Sequence, residues 1–579
     1  MRAFDIGVAW VMIDLIIQLV NKRRDSFRES KPRTGEESWM RVSSQHLSMF
    51  VLLGSLHIAS SCAAPQSTPP AAERQAAVAV PGTGQTTATV RVETGVLQGA
   101  VSEAGVSYKN IPYAAPPVGD RRWRAPAPAE RWDGVRDATR YGRDCMQNRQ
   151  SWDSMAPTQP QSEDCLYLNI WSPASAGEKS KLPVLVAIHG GGFVAGAGSQ
   201  AVLDGSKLSA RGAIIVTFNY RLGRFGFFAH PALSAESPGS AVGNYGFMDQ
   251  IAALQWVQRN IAAFGGDPAN VTVFGESAGG ESINYLMLAA DARGLFAKAM
   301  VQSGGGRSPW PKLSEDRPNL PSAEAVGRKF ATKAKVASDD AAALRAVSAA
   351  KVLGGISLID NDGGTYSGPM IDGRIVTAAV SDGFAQGRQA QIPYWIGSNS
   401  NEFGFLPGFL LGRSNSKLVE QFGFDEAQLI AGYGSKDAYE ANFASDVTFT
   451  EPARYLATAA AAKQPVYLWR FAYVVESKRK SSKGAAHATD LPFTLGNLAA
   501  NGDKIGDADR LAAQQFGDAL IAFARTGVPA IEGQPAWPRY AAKEGRMVEF
   551  SEKGIVITSA ASLALDAIAQ QFAKRTSAP

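Results

Sequence analysis

The sequence predicts an α/β fold with a large, mostly parallel central sheet, and three observations carry that prediction. Six apolar runs have the length and composition of strands covered on both faces. Helix-compatible stretches lie between them, the alternation expected when helices pack on both sides of one sheet. One run passes straight into Gly-x-Ser-x-Gly and then into a helical pattern, giving a strand, a sharp turn and a helix in succession.

In chain order the strand runs are Leu182 to Ile188, Ala213 to Phe218, Val271 to Phe274, Lys298 to Val301, Ile392 to Ile396 and Val466 to Phe471, most of them bounded by Gly, Pro or Asn. The helical stretches are Phe247 to Phe264, Ser282 to Ala290, Ala323 to Lys335 and Ala508 to Arg525. The last is followed by Gly527 and Pro529, which stop a helix. No linker-like break interrupts 89 to 575. One large domain over 89 to 579 is therefore expected, with insertions near 305 to 390 and 405 to 460 covering its active face.

With 579 residues, 45% of them hydrophobic and 19% charged, the chain can bury a large core, which excludes the disordered and collagen-like classes. A net charge of +5 is too small for a nucleic-acid footprint. The three cysteines, Cys62, Cys145 and Cys165, allow one intrachain pair with one left over, and exclude a zinc ribbon or an iron–sulfur site.

The amino-terminal part reads as three pieces. Residues 1 to 39 are expected to precede the natural start at Met40. Residues 40 to 64 have the grammar of an export leader: Met40-Arg41, the apolar run Met49 to Leu53, then the small residues Ala59 to Ala64. Cys62 sits where a bacterial lipoprotein is acylated, and cleavage after Ala64 is the alternative; either route takes the chain out of the cytoplasm. The earlier apolar stretch Phe4 to Val20 contains Asp5 and Asp14, which are costly in lipid and argue against an anchor. Residues 65 to 88, mostly Ala, Pro, Gln, Thr and Gly, predict a flexible tether.

The turn is Gly275-Glu276-Ser277-Ala278-Gly279. A serine at its tip holds its hydroxyl exposed, and the flanking glycines let neighbouring backbone approach, so Ser277 is the expected nucleophile. The run ending at Ile188 opens into His189-Gly190-Gly191-Gly192-Phe193. Glycines can turn their N–H groups toward a substrate oxygen, and Gly191 and Gly192 with Ala278 are the expected oxyanion hole. Of the five histidines, His46 and His57 lie in the leader, while His189 and His230 precede the serine. Only His487 satisfies the order Ser, acid, His. Glu402, just beyond the run Ile392 to Ile396, is the expected acid. Asp372 sits in the turn-like text Ile371-Asp372-Gly373-Arg374, and Asp490 follows the histidine and reads as a loop or helix-start residue. No metal or organic cofactor is required by this chemistry. Phe193, Trp152, Trp310, Phe403 and Phe405 are the aromatics available to wall an apolar pocket.

These motifs together resemble the type-B carboxylesterase family, the α/β-hydrolase group that includes bacterial para-nitrobenzyl esterases and the cholinesterases. The resemblance covers about 89 to 575. It adds Ile111-Pro112-Tyr113-Ala114-Ala115-Pro116-Pro117-Val118-Gly119, Ser162-Glu163-Asp164-Cys165-Leu166-Tyr167-Leu168-Asn169-Ile170, Gly266-Asp267-Pro268, Gly397-x-Asn399-x-x-Glu402 and His487-x-x-Asp490-Leu491-Pro492-Phe493 to the serine and glycine motifs. It implies an α/β-hydrolase fold, a Ser277, Glu402, His487 triad, and a disulfide between Cys145 and Cys165. It also implies positions beside the triad for Glu276 and for Ser303, in Val301-Gln302-Ser303-Gly304. The implied activity is hydrolysis of small to medium carboxylic esters through an acyl-enzyme. The partner is then a small-molecule ester, with no nucleic acid, a membrane only through Cys62, and an oligomeric state that the sequence leaves open. An amidase or carbamate hydrolase with the same triad, and an inactive binding relative, are the competing readings. Two positions depart from the family text: Phe403 follows the acid where glycine is usual, and Glu281 stands where a small residue is common.

Overall fold

The computed structural model describes residues 87–149, 156–336, 340–358 and 360–576. The leader, nearly all of the tether, and Trp152 lie outside the described residues. The tether boundary moves by two residues, because Thr87 and Ala88 already pair with Ala100 and Gly99 in the first strand, Thr87–Val92.

Thirteen strands form one sheet among the described residues. At its centre Gly266–Glu276 lies between Leu182–Ile188 and Lys298–Gln302, parallel to both. Tyr394–Asn399, Val466–Phe471 and Arg546–Ser551 continue the parallel series on one side, and Ile214–Phe218 extends it on the other. All six strand runs expected from the sequence are there. The antiparallel arms were not anticipated: Tyr167–Ser172, Gly105–Pro112, Gly95–Ser102 and Thr87–Val92 at one edge, and Gly554–Ser559 at the other. Thr87–Val92 explains why, since it is short, polar and mostly accessible, and an edge strand of that kind has no apolar run to betray it.

The central strands are apolar throughout because each face meets a separate core. Val184, Val186 and Ile188 join one cluster, with Val271, Val273 and Val301; Leu185 and Ala187 join the other, with Phe274 and Met300. Each such side chain, removed from water, contributes about 1.5–3 kcal/mol. Tyr245–Asn260 and Ala278–Leu288 cover the first face, and Asp507–Thr526 covers the second. Ala278–Leu288 starts four residues earlier than its apolar pattern announced, because Ala278, Gly279 and Gly280 carry no large side chain.

Because the central strands are parallel, their carboxyl ends share one edge of the sheet. Ile188, Glu276, Gln302, Asn399 and Phe471 end there, and a crevice beyond such ends is where ligands bind in open α/β sheets.

Candidate active site

Gly266–Glu276 ends one residue before Ser277, whose backbone takes φ +55° and ψ −124°. A non-glycine residue held there is strained by about 1–3 kcal/mol, and persists only where its surroundings fix it. Here the Ser277 N–H donates to the Gln302 carbonyl at 2.9 Å, and the Ser277 carbonyl accepts from the Glu281 N–H at 2.8 Å. The motif glycines have a steric reason. A Cβ on Gly279 would fall 2.0 Å from the Ile188 carbonyl oxygen, and one on Gly275 would fall 2.7 Å from the same atom.

The glycine loop lies directly against this elbow: a Cβ on Gly190 would meet the Glu276 carbonyl oxygen at 2.8 Å and the Ser277 Cβ at 3.3 Å. Gly191 and Gly192 have φ of +104° and +59°, and the N–H groups of Val194 and Ala195 both donate to the Gly191 carbonyl at 3.0 Å. No backbone acceptor pairs with the N–H groups of Gly191, Gly192 or Ala278 among the described residues. At the far end of the loop, the buried Gln147 amide donates to the Gly196 carbonyl and accepts from the Gly196 N–H, both at 2.9 Å, like a short strand partner. Gln147 lies two residues past Cys145, which is disulfide-bonded to Cys165. Sequence reasoning missed Gln147, since one amide beside a cysteine makes no pattern.

His487 and Glu402 come from loops beyond later strands and meet with His487 Nδ1 2.8 Å from Glu402 Oε2. An acidic acceptor assigns the proton to Nδ1. The other carboxylate oxygen accepts from the Ser303 hydroxyl at 2.6 Å and the Asn399 N–H at 2.7 Å, so Glu402 is fully buried and held by three donors. Phe403 leaves this arrangement intact: its ring is buried against Phe405 and Phe449, and its N–H donates to the Ser445 hydroxyl.

His487 Nε2 lies 3.1 Å from Glu276 Oε1, near enough for an ion pair but without hydrogen-bond alignment. The Ser277 hydroxyl makes no hydrogen bond among the described residues, so the structure brings serine and histidine to the same crevice without joining them. Burial raises the Glu276 carboxyl to about 8. Burial pulls His487 down, but Glu276 and Glu402 outweigh it and raise the imidazole to about 9. These two shifts compete, because a neutral Glu276 no longer raises His487. The upward direction for His487 holds through the Glu402 hydrogen bond even where Glu276 is neutral.

Three further residues shape the crevice. Phe449, in the π-helical turn Asp446–Thr450, stacks on the His487 ring with centroids 4.7 Å apart. Asp490 is more than a helix-start residue: it is buried, accepts from Gln302 Nε2 and Asn399 Nδ2, and is raised to about 6, chiefly by burial. Asn399 therefore joins the acid strand to the histidine loop, its side chain also donating to the Ala486 carbonyl at 2.6 Å. Of the remaining candidates, Asp372 accepts the N–H groups of Arg374, Ile375 and Val376 and holds a turn. His189 is buried against Tyr220 and pushed down to about 4, so it stays neutral. His230 caps a helix at Ala232. Phe193 and Phe403 are core residues, Trp310 is half-buried, and Phe405 is 46% exposed.

A parallel sheet with a strained serine elbow, a glycine loop over it and a carboxylate-bound histidine from later loops defines an α/β-hydrolase. The comparisons with known proteins agree. The model of the carboxylesterase family matches residues 86–440 and 433–566. The fumonisin B1 esterase of Sphingopyxis macrogoltabida is 35% identical over 80% of this chain and 86% of its own length. The para-nitrobenzyl esterase of Bacillus subtilis (strain 168) is 35% identical over 78% of this chain and 92% of its own. A solved PNB esterase structure superimposes with a TM-score of 0.72 at 33% identity, covering 84% of this chain and 99% of that one. The chain belongs to the carboxylesterase family, and it is a carboxylic ester hydrolase.

Proposed function

We propose that hydrolysis proceeds through a Ser277, His487, Glu402 triad and an acyl-enzyme, on small to medium carboxylic esters. The observation that carries this reading is the 2.8 Å contact of His487 Nδ1 with the buried Glu402, in the crevice that Ser277 opens onto. With Nδ1–H held by Glu402, Nε2 is the free base. It exchanges Glu276 for the Ser277 hydroxyl, takes the proton as Oγ attacks the ester carbonyl, and returns it to the departing alcohol. The N–H groups of Gly191, Gly192 and Ala278 hold the oxyanion, each contributing about 3 kcal/mol to the transition state. Water then repeats the sequence on the acyl-enzyme.

Rates on para-nitrophenyl esters from acetate to decanoate, beside Ser277→Ala, test this. Turnover that falls with chain length and vanishes in the variant is expected; turnover that survives the substitution would overturn the role of Ser277.

The reading includes export through the 40 to 64 leader, with a tether and one catalytic domain behind it. The Cys145–Cys165 disulfide supports it, because such bonds persist in oxidising compartments. Mass spectrometry of the mature amino terminus separates an acylated Cys62 from cleavage after Ala64, and an intact leader on cytoplasmic protein would overturn export.

A further inference from the structure

From Ala278 to Met287 the helix after the elbow is buried everywhere except at Glu281. Glu281 lies one helical turn beyond Ser277, and both keep partial access to solvent. Glu281 Oε1 accepts from the Trp310 indole N–H at 3.1 Å, and Ser308 lies beside the same carboxyl. Trp310 meets Phe193 edge to face at 5.9 Å, and Phe193 directly follows the two glycines of the loop. Leu358 completes this wall, 2.7 Å from where a Cβ on Gly192 would lie.

Glu281 has no cationic partner among the described residues; the buried Asp490 lacks one too but is closed in by Gln302 and Asn399, whereas Glu281 keeps partial access to solvent. Asp249 is matched by Arg221 at 2.7 Å and Glu451 by Arg307 at 2.5 Å. Burial raises Glu281 to about 7 against the pull of Ser308 and Trp310, and it ionises above that pH. An ionised carboxylate in a largely apolar wall lacks a counter-charge, and a ligand can supply one.

The sheet order says which part of a substrate would meet it. The strand that carries the glycine loop flanks the serine strand on one side, and the strands that lead to Glu402 and His487 lie on the other. The leaving alcohol must sit beside His487, which protonates it, and so beside Phe449. Trp310 follows the strand Lys298–Gln302 but packs on Phe193 of the glycine loop, so the wall of Trp310 and Glu281, backed by Phe193, lies toward the glycine-loop side and is left to the acyl chain. Resting on the serine-esterase reading above, we infer that Glu281 determines specificity, selecting esters whose acyl chain carries an ammonium group. Trp310 offers its ring beside the same cation.

The test compares two para-nitrophenyl esters, of 4-(trimethylammonio)butanoate and of its neutral isostere 5,5-dimethylhexanoate, in the full chain and in Glu281→Gln. It is run at low salt and about pH 8.5, where the carboxyl is ionised. The wild type is expected to favour the cationic ester about tenfold in kcat/KM beyond the ratio of the uncatalysed rates, the size of one partly screened charge contact. Glutamine keeps an acceptor for Trp310 and is expected to bring the ratio close to one. A wild-type ratio near one overturns the assignment without any variant, and so does a preference that survives Glu281→Gln. In both cases turnover of the neutral ester leaves the serine-esterase reading standing. Absence of all turnover in folded wild-type protein overturns both.

Discussion

The two halves of the site are built on opposite principles. The elbow and glycine loop are set by steric fit over short stretches of sequence: Gly275 and Gly279 leave room for the Ile188 carbonyl, and Gly190 for Glu276. The acid–base half is set by polar contacts between residues far apart in the chain. Glu402 is oriented by Ser303, one residue past an earlier strand, and Asn399 ties it to a histidine loop more than eighty positions onward. One half is therefore rigid because nothing else fits. The other is poised by charge, and its balance can be tuned.

The largest expected effect falls on the charged half. Glu402→Gln keeps the shape but removes the acceptor that fixes the imidazole tautomer, and kcat should fall by about 10⁴-fold with the fold intact. A loss under tenfold would mean that another group, Asp490 foremost, orients His487. In the steric half, Gly279→Ala places a methyl 2.0 Å from a backbone oxygen, so stability should drop by about 3 kcal/mol in denaturant unfolding, with activity lost alongside. A neutral result would erase the distinction between the halves. Gln147→Ala tests how far that rigidity is local: it strands both polar groups of Gly196, and about 1–3 kcal/mol of stability should be lost.

The smallest effect sharpens the comparison most. With His487 as the general base proposed above, the rate falls as pH drops through its pKa, which the neighbouring carboxylates hold above the ordinary imidazole value. Glu276→Gln removes one of them and should move the acid limb of kcat/KM to lower pH by about one unit. An unmoved limb would show that Glu276 is neutral in the working enzyme and that Glu402 alone holds the imidazole.

This division also explains what could be read in the sequence. Gly275 to Gly279 and His189 to Phe193 are contiguous because steric fit acts between neighbours, and the elimination of four histidines left His487. The parallel strands were legible because both faces are buried. Thr87–Val92 and Gly554–Ser559 were not, since edge strands need only half an apolar pattern. Phe449, Gln147 and the bridging role of Asn399 were hidden for a different reason: each acts on a residue distant in sequence, and its own neighbours give no sign of it. Phe403 stands where the family text has glycine, which leaves open whether it disturbs the acid loop. It does not, because the 405 to 460 insertion supplies Ser445 and Phe449 to receive it.

The shared edge of the sheet separates what must stay from what can drift. The proposed reacting groups stand beyond the ends of parallel strands, anchored by two cores, whereas Trp310, Leu358 and Phe449 descend from the intervening insertions. On the proposed reading, exchange of an insertion would change which ester is admitted while the strands beneath keep their register. A lineage built this way can change its diet without relearning its chemistry.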